Sequence, residues 1–146
     1  MSLPNNLKTI YPFTTTIPVR ITDINYGNHL GHIETIGIFH HARVLFLKEN
    51  GFDEMNIDGF GLILLDSQYS FKSETKFNTN LCIQVGIGEF SRLKFNIIYQ
   101  ALNQETGNII AEGREELVFF DYEKRKVSRI SEAFLTFCND KKVERN

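Results

Sequence analysis

The sequence has no excess of positive charge: 16 Lys and Arg stand against 18 Asp and Glu, a formal net charge of −2. With no basic field to gather polyanions, nucleic acid and anionic membrane surfaces are poor candidates for partners. Cysteine is scarce too. Cys82 and Cys138 lie far apart and outside any CxxC or Cys/His ligand pattern, so both read as reduced, structural thiols of a cytoplasmic protein. Long apolar runs are missing; none approaches the roughly 18–20 residues a membrane helix needs. The opening segment MSLPNNLKTI lacks the basic start and apolar centre of a secretion signal. No repeat, linker or low-complexity stretch divides the chain. What is left is 146 residues, 42% of them hydrophobic, which is enough for a single domain over 1–146 with a substantial core.

The apolar residues change period along the chain. From Phe13 to Thr22 they alternate, as in a strand, with Pro18 suggesting an edge or a bulge. From about Leu30 to Asn50 the run Ile33, Ile36, Ile38, Phe39, Ala42, Val44, Leu45, Phe46, Leu47 leaves no wide polar face, which predicts a long helix enclosed by protein. Asn28 is a candidate N-cap, and Gly51 followed by Phe52 fits a Schellman stop. Four further strands are predicted at Gly61 to Phe71, Leu81 to Phe90, Leu93 to Leu102 and Ile109 to Phe120, joined by short polar turns as in an antiparallel meander. A short amphipathic helix over Ser131 to Cys138 and a fraying charged tail from Asp140 to Asn146 complete the chain. One apolar helix and about five antiparallel strands make an α+β fold in which the sheet curls around the helix. Its free edge calls for a homodimer with a continuous sheet.

Between the first strand and the helix lies Asp23-Ile24-Asn25-Tyr26-Gly27-Asn28-His29-Leu30-Gly31. Polar groups in such a loop converge with the unpaired N–H groups of the helix start, an arrangement that polarises a carbonyl oxygen or holds an anion. The loop, the Ala42-Arg43 pair on the helix and Ser70-Phe71 in the second strand resemble the hotdog-fold acyl-CoA thioesterases of the 4-hydroxybenzoyl-CoA thioesterase-like family. That resemblance spans roughly Pro12 to Phe134 and implies a hotdog fold with an acyl-CoA or acyl-carrier-protein substrate. A homodimer or dimer of dimers and no cofactor are also implied. In the family the second acidic position of the loop, about 18 residues before the Arg of the pair, carries the catalytic carboxylate; here that position is Asn25. An amide neither takes a proton near neutral pH nor forms an acyl anhydride, so another group must activate water.

Asp23, Glu34 and Asp66 are the candidate carboxylates. Asp23 matches the first acidic position of the family's loop, Glu34 falls in the first helical turn, and Asp66 interrupts an apolar run, where an unpaired charge would be costly. Asn25 and His29 complete the candidate catalytic set, with Asn25 orienting water or the carbonyl and His29 shaping the loop or moving a proton. Tyr26, Gly27, Asn28, Leu30 and Gly31 would bind the substrate at the helix start, while Arg43 within the apolar helix reads as half of a structural ion pair. The histidines at 29, 32, 40 and 41 do not have metal-ligand spacing, since the last two lie about 12 Å further along a helix than the first two. Two other readings share the fold. Hydratases of the enoyl-CoA type carry an Asp-x-Asn loop closely followed by His, a composition that Asp23, Asn25 and His29 repeat; the other is a non-catalytic protein that binds acyl thioesters.

Overall fold

A computed structural model describes residues 10–144. The strands are β1 (Phe13–Pro18), β2 (Gly61–Phe71), β3 (Asn80–Phe90), β4 (Phe95–Asn103), β5 (Ile109–Asp121) and β6 (Lys126–Ser128). The helices are α1 (His32–Glu49) and α2 (Glu132–Asp140). The sheet is antiparallel in the order β1-β3-β4-β5-β2, with β6 paired to the end of β5. The meander runs only from β3 through β4 and β5 to the short β6. β2 pairs with β5 rather than with β3, so the expected run of sequential neighbours is corrected at its first step. The reason is the length of the connection: residues 72–79 are enough to carry the chain from one edge of the sheet to the strand beside β1. This is the hotdog arrangement, one long helix lying in a curled sheet.

α1 buries Ile38, Phe39, Ala42, Arg43, Phe46 and Leu47, a stripe at spacings of three and four residues that faces the sheet. Its other face is not enclosed: Ile33 is 66% exposed, Val44 is 37% exposed, and Gly37 and His41 are also exposed. The expectation of a helix wrapped all round is therefore corrected within the single chain, because a five-stranded sheet covers one side of a helix and not both. The far end of α1 closes as a Schellman motif. Gly51 takes φ 84°, its N–H donates to Lys48 O (3.0 Å), and Phe52 N–H reaches back to Leu47 O (2.9 Å).

Around that end the phenylalanines gather. Phe46 packs on Phe13 and Phe137 with ring centroids 5.4 and 5.2 Å apart, and Phe134 of α2 meets Phe95, Phe52 and Phe119 at 4.8, 5.1 and 5.1 Å. α2 is started by Ser131, whose Oγ accepts the Phe134 N–H. The tail that follows does not fray as expected over its described part. Ile87 N–H donates to Lys141 O and Val143 N–H to Ile87 O, both at 2.8 Å, pinning residues 141–143 beside β3; positions 145 and 146 lie outside the described residues.

Midway along α1 a buried polar cluster ties helix to sheet. Arg43 Nη1 donates to Glu115 Oε1 (2.7 Å) and Nε to Glu54 Oε1 (2.5 Å), while the Tyr69 and Tyr99 hydroxyls donate to Glu115. Burial acts against the charge on Arg43, but Tyr99, Glu115 and Glu54 outweigh it and hold the guanidinium above its ordinary range. Tyr69 is pushed up to about 12, first by burial and then by its bond to Glu115, so the phenol stays a neutral donor. This is the structural role expected of Arg43. Cys82 and Cys138 are both buried, and burial raises both thiols, Cys138 to about 12.

Candidate active site

The chain enters the site just past β1, where Val19 still bonds to the segment before β3: its N–H donates to Thr79 O (2.9 Å) and its carbonyl accepts the Asn78 N–H (3.0 Å). Residues 21–23 form one 3₁₀ turn, closed by Asp23. Its buried carboxylate accepts the Arg20 backbone N–H (2.8 Å) together with Arg20 Nε (3.3 Å) and Nη2 (3.1 Å). Those contacts explain its burial and hold it as an ion-paired cap.

The loop beyond is fixed by its backbone. Asn25 N–H donates to His29 O, Asn28 N–H to Asn25 O, and Gly31 N–H to Asp23 O, each at 3.0 Å. Asn25 Oδ1 accepts the Gly27 N–H at 2.9 Å, which leaves the amide NH2 without a protein acceptor among the described residues. Asn28 adopts a left-handed φ of 66°, which Asn tolerates better than most residues, so it serves as the corner of the loop and not as the helix cap. The cap position belongs to Gly31, three residues later. With no side chain there, the N–H groups of the first turn ahead of Thr35 receive no capping acceptor, and the positive end of an 18-residue helix stays available.

Glu34 lies in that first turn. Gly31 has an ordinary φ of −74°, so its backbone does not require glycine. What fills the place of a side chain there is the end of Glu34: a Cβ on Gly31 would fall 1.9 Å from Glu34 Oε1 and 3.5 Å from Asn25 Cβ. The carboxylate is therefore folded back over the helix start, next to Asn25, and among the described residues it has no hydrogen bond or ion pair. Its position on the helix also places it in the field that favours a carboxylate.

Two clefts flank this point. One, of about 320 Å³, is lined by Asn25, His29, Leu30, His32, Thr35 and the segment Phe71 to Glu74. The other, of about 550 Å³, lies between β1 with the 3₁₀ turn and the outer face of α1, and includes Ile17, Asp23, Glu34, Gly37, Ile38 and His41. His29 Nδ1 is 3.3 Å from Leu30 O and its Nε2 is 3.8 Å from Glu74 Oε1, so it braces the loop against the residues after β2. Tyr26 projects fully into solvent. Asp66 stands apart from both clefts. It is exposed on β2, its carboxylate accepts Arg114 Nη2 at 2.9 Å, and that bond holds it below the usual carboxylate range. The expectation of a buried carboxylate at 66 is corrected, because β2 is an edge strand and this part of it is open to water. Asp23 and His29, the pair a hydratase would need, line different clefts, and so do Glu34 and Asn25, which meet across Gly31 at the point between the two.

Comparison with known proteins agrees with this geometry. A family model described as the thioesterase-like superfamily matches residues 19–137. The chain belongs to that superfamily. Among solved structures, a 1,4-dihydroxy-2-naphthoyl-CoA thioesterase from Synechocystis superposes with a TM-score of 0.81 at 19% identity, over 88% of this chain and 96% of that one. A DHNA-CoA thioesterase from Staphylococcus aureus gives 0.76 at 20% identity over 86% and 85%, and the probable thioesterase YbaW from Escherichia coli gives 0.75 at 15% over 90% and 98%. At these identities the likeness is one of fold. No curated protein sequence matches the chain. Two parts of the candidate site were not foreseen from sequence. The segment Phe71 to Glu74 reaches the first cleft through the β2–β5 pairing, which motifs do not reveal, whereas Gly37 did leave a signal as a lone glycine inside an apolar helix.

Proposed function

We propose that the chain is an acyl-CoA thioesterase in which Glu34 activates water and the start of α1 polarises the thioester carbonyl. The observation that carries this reading is the unpaired Glu34 carboxylate folded over Gly31, beside Asn25 and next to the uncapped first turn. Asp23 is already satisfied by Arg20, and Asp66 is paired with Arg114 on the open sheet, so of the three carboxylates Glu34 is the one placed to take a proton. Water attacks the thioester carbon while Glu34 accepts its proton. The oxyanion is held by first-turn N–H groups, with the Asn25 amide as a further donor, and such a donor contributes on the order of 3 kcal/mol to the transition state. The C–S bond then breaks, Glu34 returns the proton to the departing sulfur, and a carboxylic acid and a free thiol leave. Superfamily membership and the CoA thioesters acted on by the Synechocystis and Staphylococcus aureus proteins support the substrate class.

The working unit is proposed to be a two-fold dimer in the cytoplasm. β2 is paired only on its β5 side among the described residues, and it exposes Leu64 (46%), Leu65 (53%) and Phe71 (50%); Ile33 and Val44 are exposed on α1. An edge of this kind pairs readily with a second copy of itself.

The test is release of free thiol, followed with a chromogenic disulfide, from a panel of short, medium, long and aromatic acyl-CoAs. Turnover of at least one class supports the reading. Binding of acyl-CoA with no thiol release from any would make the protein a non-catalytic acyl-thioester binder.

A further inference from the structure

Gly37 stands in the second turn of α1, inside the helix, where glycine costs about 0.5–1 kcal/mol relative to alanine. Nothing within the chain demands it. Its backbone is helical, and a Cβ built on it meets no atom within 4 Å. What its missing side chain does is keep the floor of the larger cleft open. Glu34, Gly37, Ile38 and His41 recur at intervals of three and four, so they share one face of the helix, and all four line that cleft. Ile17 and Pro18 contribute from β1. Arg20 and Asp23 also line it, but they neutralise one another at 3.1 Å and leave little net charge against an apolar guest. Glu34 and His41 are two turns apart, about 10 Å along the axis.

We propose that the acyl group lies lengthwise in this cleft, with its carbonyl at Glu34, its body over Gly37 and its far end against His41. Gly37 and His41 then restrict the substrate to acyl groups of medium reach. The inference rests on the assignment of Glu34 made above. It differs from that assignment in locating the acyl pocket on the outer face of α1 and in naming the residues that set its depth.

Binding of non-hydrolysable S-alkyl-CoA thioethers tests it without requiring turnover. Affinities of S-ethyl-, S-octyl- and S-hexadecyl-CoA would be measured by calorimetry for the wild type, Gly37→Leu, Gly37→Ala and His41→Ala, with the oligomeric state of each checked by sedimentation. Filling the floor should weaken S-octyl-CoA relative to S-ethyl-CoA by roughly tenfold or more in Gly37→Leu, with a smaller change in the same direction in Gly37→Ala. Removing the far wall in His41→Ala should raise the affinity for S-hexadecyl-CoA relative to S-octyl-CoA. Unchanged ratios in Gly37→Leu would overturn the proposal. So would a Leu variant that separates the copies while keeping the same length preference, which would assign Gly37 to the contact between copies. The shift in ratio without hydrolysis of any acyl-CoA leaves the pocket standing and removes the hydrolytic reading. Hydrolysis with a length preference untouched by Gly37→Leu does the reverse.

Discussion

The two ends of α1 are built on opposite plans. At the C-terminal end the inner side is closed: Gly51 and Phe52 satisfy the last carbonyls, and Phe46, Phe52, Phe134 and Phe137 fill the space between the helices, while an outer cleft of about 400 Å³ lies against Val44, Lys48 and Gly51 to Glu54. At the N-terminal end features are left open among the described residues: a glycine cap, first-turn N–H groups without a side-chain acceptor, an unpaired carboxylate at 34 and a helical glycine at 37 on which a Cβ would meet no atom within 4 Å. Aromatic burial at one end, with the Arg43–Glu115 cluster in the middle, stabilises a helix whose other end is poorly capped. On the proposed reading, stability and chemistry are separated along one element, and substitutions at either end should show it.

The largest effect is expected at the closed end. Phe134→Ala removes a buried ring in contact with four other phenylalanines and should cost about 3–5 kcal/mol in a denaturant titration. Thiol release per folded molecule should stay at the wild-type level, and a fall in that rate would mean that the two ends are not separable. At the open end, Gly31→Ala should push the Glu34 carboxylate out of its place and lower kcat roughly tenfold to a hundredfold, while the denaturation midpoint hardly moves. Asn25→Asp sharpens the comparison further. A second carboxylate beside Glu34 makes it harder to ionise the pair, so the acidic limb of the pH–rate profile should move up by about one unit. The smallest effect belongs to Asp66→Asn. This exposed pair with Arg114 is screened by water, so its loss should leave both the denaturation midpoint and turnover where they are in the wild type.

Most of the fold was legible in the sequence because hydrophobic period is a local property. The strand at Gly61–Phe71 was read to the residue, and the Gly51-Phe52 stop was read from two residues whose geometry is stereotyped. Topology was not local: β2 pairs with β5, and the alternation of either strand says nothing about its neighbour. The same limit affected the site. Asp66 looked buried because apolar residues precede it in sequence, yet it lies on an edge strand where its neighbours Leu64 and Leu65 are exposed. Asp23 and Glu34 could not be ranked from sequence, since the difference between them is a hydrogen-bond inventory. Arg20 satisfies the first carboxylate, and Gly31 leaves room for the second. A resemblance of loop and helix identified the superfamily, and the coordinates of a few side chains then separated the candidate carboxylates.

The most direct test of the account is kcat for acyl-CoA hydrolysis by Glu34→Gln, measured beside its unfolding free energy. A general base acting on water contributes on the order of 10²–10⁴ in rate, so kcat should fall by that factor. Stability should stay within about 0.5 kcal/mol, because the carboxylate holds no partner in the fold. A variant that hydrolyses its best substrate within about threefold of the wild type, with its fold intact, would contradict the assignment of Glu34 as the group that activates water.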